Sequence, residues 1–176
     1  MARVLDFVFF LYFASHIPIT IFIDAQAIFP SSYFPAQVVA LKDWYCREYR
    51  DAMMMDPPQW FLSFIYCEFI FQFPFFFVAA YAYFKGAAKC KWLRLPAAVY
   101  GSHVATTVIA ISYYVFTHDF SNSKHPGPRD LKERSTLFAI YLPYLLIPVL
   151  LMLDAMFSAA YRPAPSGYNA SNKKRR

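Results

Sequence analysis

The sequence predicts an all-α membrane protein, a four-transmembrane-helix bundle with kinked helices around an intramembrane pocket. Three observations predict it. First, four largely apolar stretches are long enough to cross a hydrocarbon core about 30 Å thick, which takes about 20 helical residues. Second, the 176 residues are 59% hydrophobic and only 16% charged, whereas soluble domains carry about 25% charged residues. Third, neither a fixed-period repeat nor the alternating pattern of a membrane β-strand is present, which excludes a solenoid and a barrel.

The spans are expected at residues 5–29, 60–84, 95–116 and 136–157. They form one transmembrane domain over 1–157, followed by a basic tail over 158–176. The apolar stretch after Arg3 runs to about Phe29, longer than the roughly 7–15 residues of a signal h-region, and no small-residue cleavage site follows. It therefore reads as a retained first helix. Pro18, Pro74, Pro143 and Pro148 fall inside the spans. Each removes an intrahelical hydrogen bond, and the freed carbonyls need internal partners or a cavity.

The connections fix an orientation. One side carries Arg3, then Lys85, Lys89, Lys91 and Arg94, then Arg162 and Lys173–Arg176. The other carries Lys42, Arg47, Arg50, Lys124, Arg129, Lys132 and Arg134, interspersed with acids. The bias places both termini in the cytoplasm. On that reading the Asn169-Ala170-Ser171 acceptor triplet is never glycosylated. The lysines Lys173 and Lys174, third and fourth from the end, look like the dilysine retrieval signal of endoplasmic-reticulum membrane proteins. The basic clusters flank apolar stretches and carry no nucleic-acid signature, so the net charge of +6 indicates membrane flanks, not nucleic acid. Cys46, Cys67 and Cys90 are far apart and lack metal-ligand spacing. No metal, cofactor or catalytic residue is expected.

The connection from Pro30 to Gln59 is long for a loop between helices. Its centre has Val39, Trp44 and Tyr45 at partly helical spacing among charges. Two readings stay open, a short amphipathic helix over the lumenal end of the bundle or an ordinary interfacial segment.

An ionised carboxylate in the bilayer is costly, so intramembrane acids are functional candidates. Asp6 and Asp154 lie near span ends and are expected to reach the headgroups. Asp24 and Glu68 are deeper. At about 1.5 Å per helical residue they lie roughly 10 Å and 6 Å to the lumenal side of their span centres, on sequential antiparallel helices. Two carboxylates in low dielectric do not both ionise cheaply, so Glu68 is expected to stay protonated and donate to an ionised Asp24. The pair then offers one negative charge to a ligand with one cation and a large apolar body. The alternative is a helix-to-helix hydrogen bond without a ligand. Gln72 shares the Glu68 face, Thr20 and His16 precede Asp24 at four-residue spacing, and Tyr100, His103, Thr106, Thr107, Tyr141 and Tyr144 add polar groups. For His16 and His103, core hydrogen bonding competes with chemistry; for a lone Thr or Tyr, helix packing is the simpler role.

The stretches Leu11–Thr20, Cys67–Phe76 and Tyr144–Pro148 resemble the EXPERA-domain family, which includes the sterol isomerase emopamil-binding protein. The similarity runs from about residue 8 to residue 155 and includes both intramembrane acids and their neighbouring prolines. The resemblance implies an endoplasmic-reticulum receptor or binding protein, with the nuclear membrane as a further location. Its ligands would be sterols, oxysterols and cationic amphiphilic amines, held in a pocket open to membrane lipid. It implies that Asp24 pairs with a ligand amine, that Glu68 hydrogen-bonds Asp24, and that Asp51 supports the structure. Gln72, Tyr100, Thr107 and Tyr144 match pocket positions. It also implies a homodimer, a role in cholesterol homeostasis, and contact with the Niemann-Pick type C cholesterol transporter. Two other functions compete. Acid and base groups in an apolar pocket suit sterol double-bond isomerisation, although the isomerase relatives resemble a five-helix architecture. A trafficking scaffold would act through protein contacts alone.

Overall fold

The structure is a computed structural model that describes residues 3–162. Lys173, Lys174 and the Asn169 triplet lie outside the described residues. The order is α1 (Val4–Phe22), a 3-10 turn (Asp24–Ala27), α2 (Ala36–Glu48), α3 (Ala52–Met55), α4 (Gln59–Cys67), a π turn (Glu68–Gln72), α5 (Phe73–Lys85), α6 (Arg94–Thr117) and α7 (Leu131–Phe157). These make four candidate membrane spans, Val4–Ala27, Gln59–Lys85, Lys91–Thr117 and Leu131–Phe157. Packing is pairwise, α1 against α5 and α6 against α7. Large apolar side chains such as Phe7, Leu11, Ile70, Phe71, Val99 and Ile109 are exposed on the outside, the inside-out pattern that hydrocarbon solvent permits.

The first span loses regular α geometry just before Asp24. The second widens where Pro74 has no N–H for the Ile70 carbonyl. There the Phe73 N–H reaches back to the Glu68 carbonyl in a π turn, a feature that recurs at functional sites. The fourth span starts five residues before the sequence reading, at Leu131 instead of 136. The reason is capping. The Asp130 carboxylate accepts the Glu133 N–H at 2.8 Å, and the Glu133 carboxylate accepts the Arg129 N–H at 2.8 Å. The first bond satisfies a donor that an uncapped helix would leave orphaned, and the second holds the chain just before the cap. One turn on, the Arg134 guanidinium donates to the Val115 and His118 carbonyls at the end of α6, placing a cation at a helix C-terminus.

Asp6 and Asp154 do not reach the headgroups as expected. Asp6 is 1% exposed, and both acids are gripped by Arg3. The guanidinium lies 2.7 Å from Asp6 Oδ1 and 2.7 Å from Asp154 Oδ1, and it donates to Ser158 Oγ at 2.8 Å. A planar fork satisfies two carboxylates at once, which a lone surface charge does not. The two acids hold the Arg3 side chain firmly in its charged form against the opposing effect of burial. The result is a clasp joining the start of α1 to the end of α7.

Two apolar clusters fill the bundle. One lies toward the Arg3 end and contains Phe9, Phe13, Phe76, Tyr83, Leu93, Tyr100 and Leu151. The other lies toward the Asp51 end and contains Cys46, Met53, Phe61, Ile111, Val115 and Leu137. At the closest approach of α6 and α7, a Cβ on Gly101 would stand 2.5 Å from the Pro148 carbonyl oxygen. Only glycine fits there.

Candidate ligand-binding site

A cavity of about 350 Å³ opens between the two clusters. Members of both contribute to its wall, Val104 and Val108 from one and Phe61, Ile65 and Ile111 from the other. This volume falls within the range of about 300–1,000 Å³ typical of small-molecule sites. Asp24, Glu68, Gln72, His16, Thr107, Tyr141 and Tyr144 all line it. No Lys or Arg does. A mostly apolar wall with two carboxyl groups and no fixed cation suits an apolar body carrying one positive charge.

Local backbone sets each polar group. Asp24 opens the 3-10 turn that ends the first span and is half-buried. Glu68 opens the π turn and is also half-buried. The expected Glu68–Asp24 hydrogen bond is absent among the described residues. Instead the Thr20 hydroxyl donates to Glu68 Oε1 at 2.5 Å and neighbours the Asp24 carboxyl. The turn from α to 3-10 geometry after Phe22 carries Asp24 off the ideal helical position, so Thr20 stands where a direct contact was expected. Thr20 is fully buried, and its hydroxyl is committed to the acid pair.

His16 sits deeper. Its Nδ1 donates to the Tyr12 carbonyl at 3.1 Å, which in a neutral ring leaves Nε2 as the acceptor. Its ring packs edge-on against Tyr144, centroids 4.8 Å apart. Thr107 donates to the Val104 carbonyl at 2.9 Å, so toward a ligand its oxygen is an acceptor. Tyr100 is the predicted site residue that the structure does not bring to the cavity. Its hydroxyl meets that of Tyr12 at 3.1 Å, and its ring packs against Phe13 and Phe75. It braces the floor from behind. His103 is also off the cavity wall.

The roof comes from the long connection, which the structure resolves as the helix α2. Leu41, Trp44 and Tyr45 from α2 and Met54 from α3 line the cavity. Sequence reasoning left these residues out of the site. The only signal for them was the partly helical apolar spacing around Trp44. Gln26 ties the roof to the first span by donating to the Phe22 and Val38 carbonyls. Asp51 fixes the other edge. It is fully buried and caps α3 through the Met54 N–H at 3.1 Å. Its Oδ2 accepts the hydroxyls of Tyr45 at 3.0 Å and Tyr141 at 2.7 Å. Both tyrosines are cavity wall, so Asp51 locks the roof to the fourth span. Burial raises the Asp51 carboxyl above its usual range, with the three donors opposing that rise. Burial, with help from Asp51, pushes the adjacent Cys46 thiol up to about 12.

The EXPERA (EXPanded EBP superfamily) profile matches residues 37–155, from the roof helix through the last span. The chain belongs to the EXPERA family. It is 53% identical over 161 residues to Sigma intracellular receptor 2 of Xenopus tropicalis, covering 92% of this chain and 93% of that protein. It is 42% identical over 176 residues to Sigma intracellular receptor 2 of Homo sapiens, covering 98% and 96%. It is 25% identical over 147 residues to Efficient mitochondria targeting-associated protein 19 of Saccharomyces cerevisiae, covering 78% and 89%. Within the EXPERA family the chain is therefore a homologue of the sigma-2 receptor, and these relatives are named as receptors, not as enzymes.

Proposed function

We propose that this EXPERA protein is an endoplasmic-reticulum receptor that binds sterols and cationic amphiphilic molecules in the cavity between its four spans, and that it serves cholesterol homeostasis and trafficking. The observation that carries this reading is that Asp24 and Glu68 both line a cavity to which, among the described residues, no Lys or Arg contributes. An ammonium group beside Asp24 would supply the missing positive charge in a low-dielectric site, where such pairing is strongest. The apolar remainder of the wall would take the hydrocarbon body, and Gln72, Thr107, Tyr141 and Tyr144 would orient a hydroxyl. Asp51 acts here as a support, through Tyr45 and Tyr141. The names of the sigma intracellular receptor 2 relatives agree with binding as the function.

The enzyme reading has one observation in its favour, that His16 lines the same cavity as the two acids. One experiment separates the two. Purified protein is incubated with a sterol substrate of the isomerase relatives, while saturation binding of a labelled cationic amphiphile is measured in parallel. The receptor reading expects saturable binding displaced by sterol, with the sterol recovered unchanged. Turnover abolished by Glu68→Gln would establish catalysis instead.

A further inference from the structure

The Asp51 end of the bundle holds a second recess, separate from the ligand cavity, of about 270 Å³ and lined by Arg47, Arg50, Met55, Pro126 and Arg129. Three arginines from two connections line it. The carboxylate of Glu133 faces the same cluster. It lies 3.1 Å from Arg50 Nε and is partly engaged by the Arg129 backbone N–H. Among the described residues neither the Arg47 nor the Arg129 side chain is in an ion pair. The recess therefore keeps an excess of positive charge.

The backbone at Arg50 is a second, independent observation. Helix α2 ends with the Asp51 N–H bonded to the Cys46 carbonyl at 3.0 Å, which places Arg50 one residue past the helix cap at φ 54. This left-handed position is the usual place of glycine. It is the only non-glycine residue at positive φ among the described residues. Strain of this kind persists where surrounding structure holds it in place and clusters at functional sites, and Arg50 lines the recess.

Membrane depth indicates what fills it. Tyr33 is exposed on the same connection, and Leu41 and Trp44 keep about half of their surface exposed at the rim of the ligand cavity that they border; exposed Trp and Tyr mark the headgroup level of a bilayer. Arg47 follows Trp44 by three residues on α2, so both lie on one helix face. Guanidinium forks match phosphate oxygens in paired hydrogen bonds. The neighbouring recess around Lys124 and Arg134 is a weaker candidate, because it contains Asp119 and Arg134 is committed to two carbonyls.

We propose that Arg47, Arg50 and Arg129 bind the phosphate of a phospholipid headgroup, anchoring the roof of the ligand cavity to the membrane surface. The full chain is purified in detergent, and retention of added phosphatidylglycerol is measured by native mass spectrometry. The double variant Arg47→Gln/Arg129→Gln is expected to weaken retention about thirtyfold, from the attraction of two basic side chains near an anionic surface. Arg50→Gly, which suits the backbone at that position, is expected to weaken retention too while leaving binding at the Asp24 cavity unchanged. Binding at that cavity also reports that each variant is folded. Wild-type retention in both variants overturns the proposal. Displacement of the lipid by inorganic phosphate at millimolar concentration overturns the lipid assignment, because the ligand is then a free phosphate.

Discussion

Replacing Asp51 with alanine should unlock the roof of the cavity. The substitution removes a helix cap at Met54, worth about 1 kcal/mol. It also strips the acceptor from two tyrosine hydroxyls, Tyr45 and Tyr141. Each buried donor left unpaired costs about 1–3 kcal/mol. Both tyrosines border the cavity, where water relieves part of that cost, so the lower figure applies and the total is about 3 kcal/mol. For a chain of this size each kcal/mol shifts the midpoint by about 2–4 °C, giving a fall of about 6–12 °C in Tm. The assay is thermal unfolding of the purified protein in one detergent, with and without ligand. Asp51→Asn keeps an acceptor for Met54 and should cost less. The pH dependence has a definite sign. Burial raises the Asp51 carboxyl in the folded state, so its contribution is fully present below the unfolded value of about 3.9 and is lost as pH rises through the folded value. The advantage of wild type over Asp51→Asn should therefore shrink as pH rises from about 4 toward neutrality. A midpoint for Asp51→Ala within about 2 °C of wild type would show that Asp51 does not hold the roof in place.

Three further outcomes follow from the packing. Gly101→Ala drives a methyl into the Pro148 carbonyl and Met152 and should cost about 1–3 kcal/mol, the usual range for overpacking, read as a lower Tm. Arg3→Gln leaves Asp6 and Asp154 without their cation and should destabilise by about 3 kcal/mol, measured the same way; an unchanged midpoint would show that the clasp is solvated. Cys46 is fully buried and its thiol is raised to about 12, so it should resist maleimide near neutral pH in the folded protein and react once the protein is unfolded, as mass spectrometry of the labelled peptides would report.

The four spans were legible because length and apolar composition alone dictate them in a bilayer. The acid pair was legible because a carboxylate in a span is rare and costly, and helical rise placed Asp24 and Glu68 at one depth. That Thr20 stands where their direct hydrogen bond was expected was not, since it depends on two departures from α geometry. The 3-10 turn after Phe22 follows from no strong local signal, and the π turn before Phe73 follows from Pro74 only once the backbone is known. Tyr100 looked like a cavity residue because polarity in a span suggests a site; its partner Tyr12 satisfies that polarity behind the wall. The roof was half legible. Trp44 and Tyr45 showed a helical rhythm, but which way that helix lies is decided by Asp51 and Gln26, whose partners are distant in sequence. The clasp was missed for a similar reason: Asp6 and Asp154 are 148 positions apart, and only the fold brings Arg3 between them.

On the proposed reading the cavity recognises one positive charge through Asp24, supported by Glu68 and Thr20. The most direct test pairs a cationic amphiphile with its neutral carbon isostere and measures the Kd of each on wild type, Asp24→Asn and Glu68→Gln. Wild type should prefer the amine, Asp24→Asn should abolish the preference while retaining the isostere, and Glu68→Gln should reduce it. A preference for the amine that survives Asp24→Asn undiminished would contradict that reading.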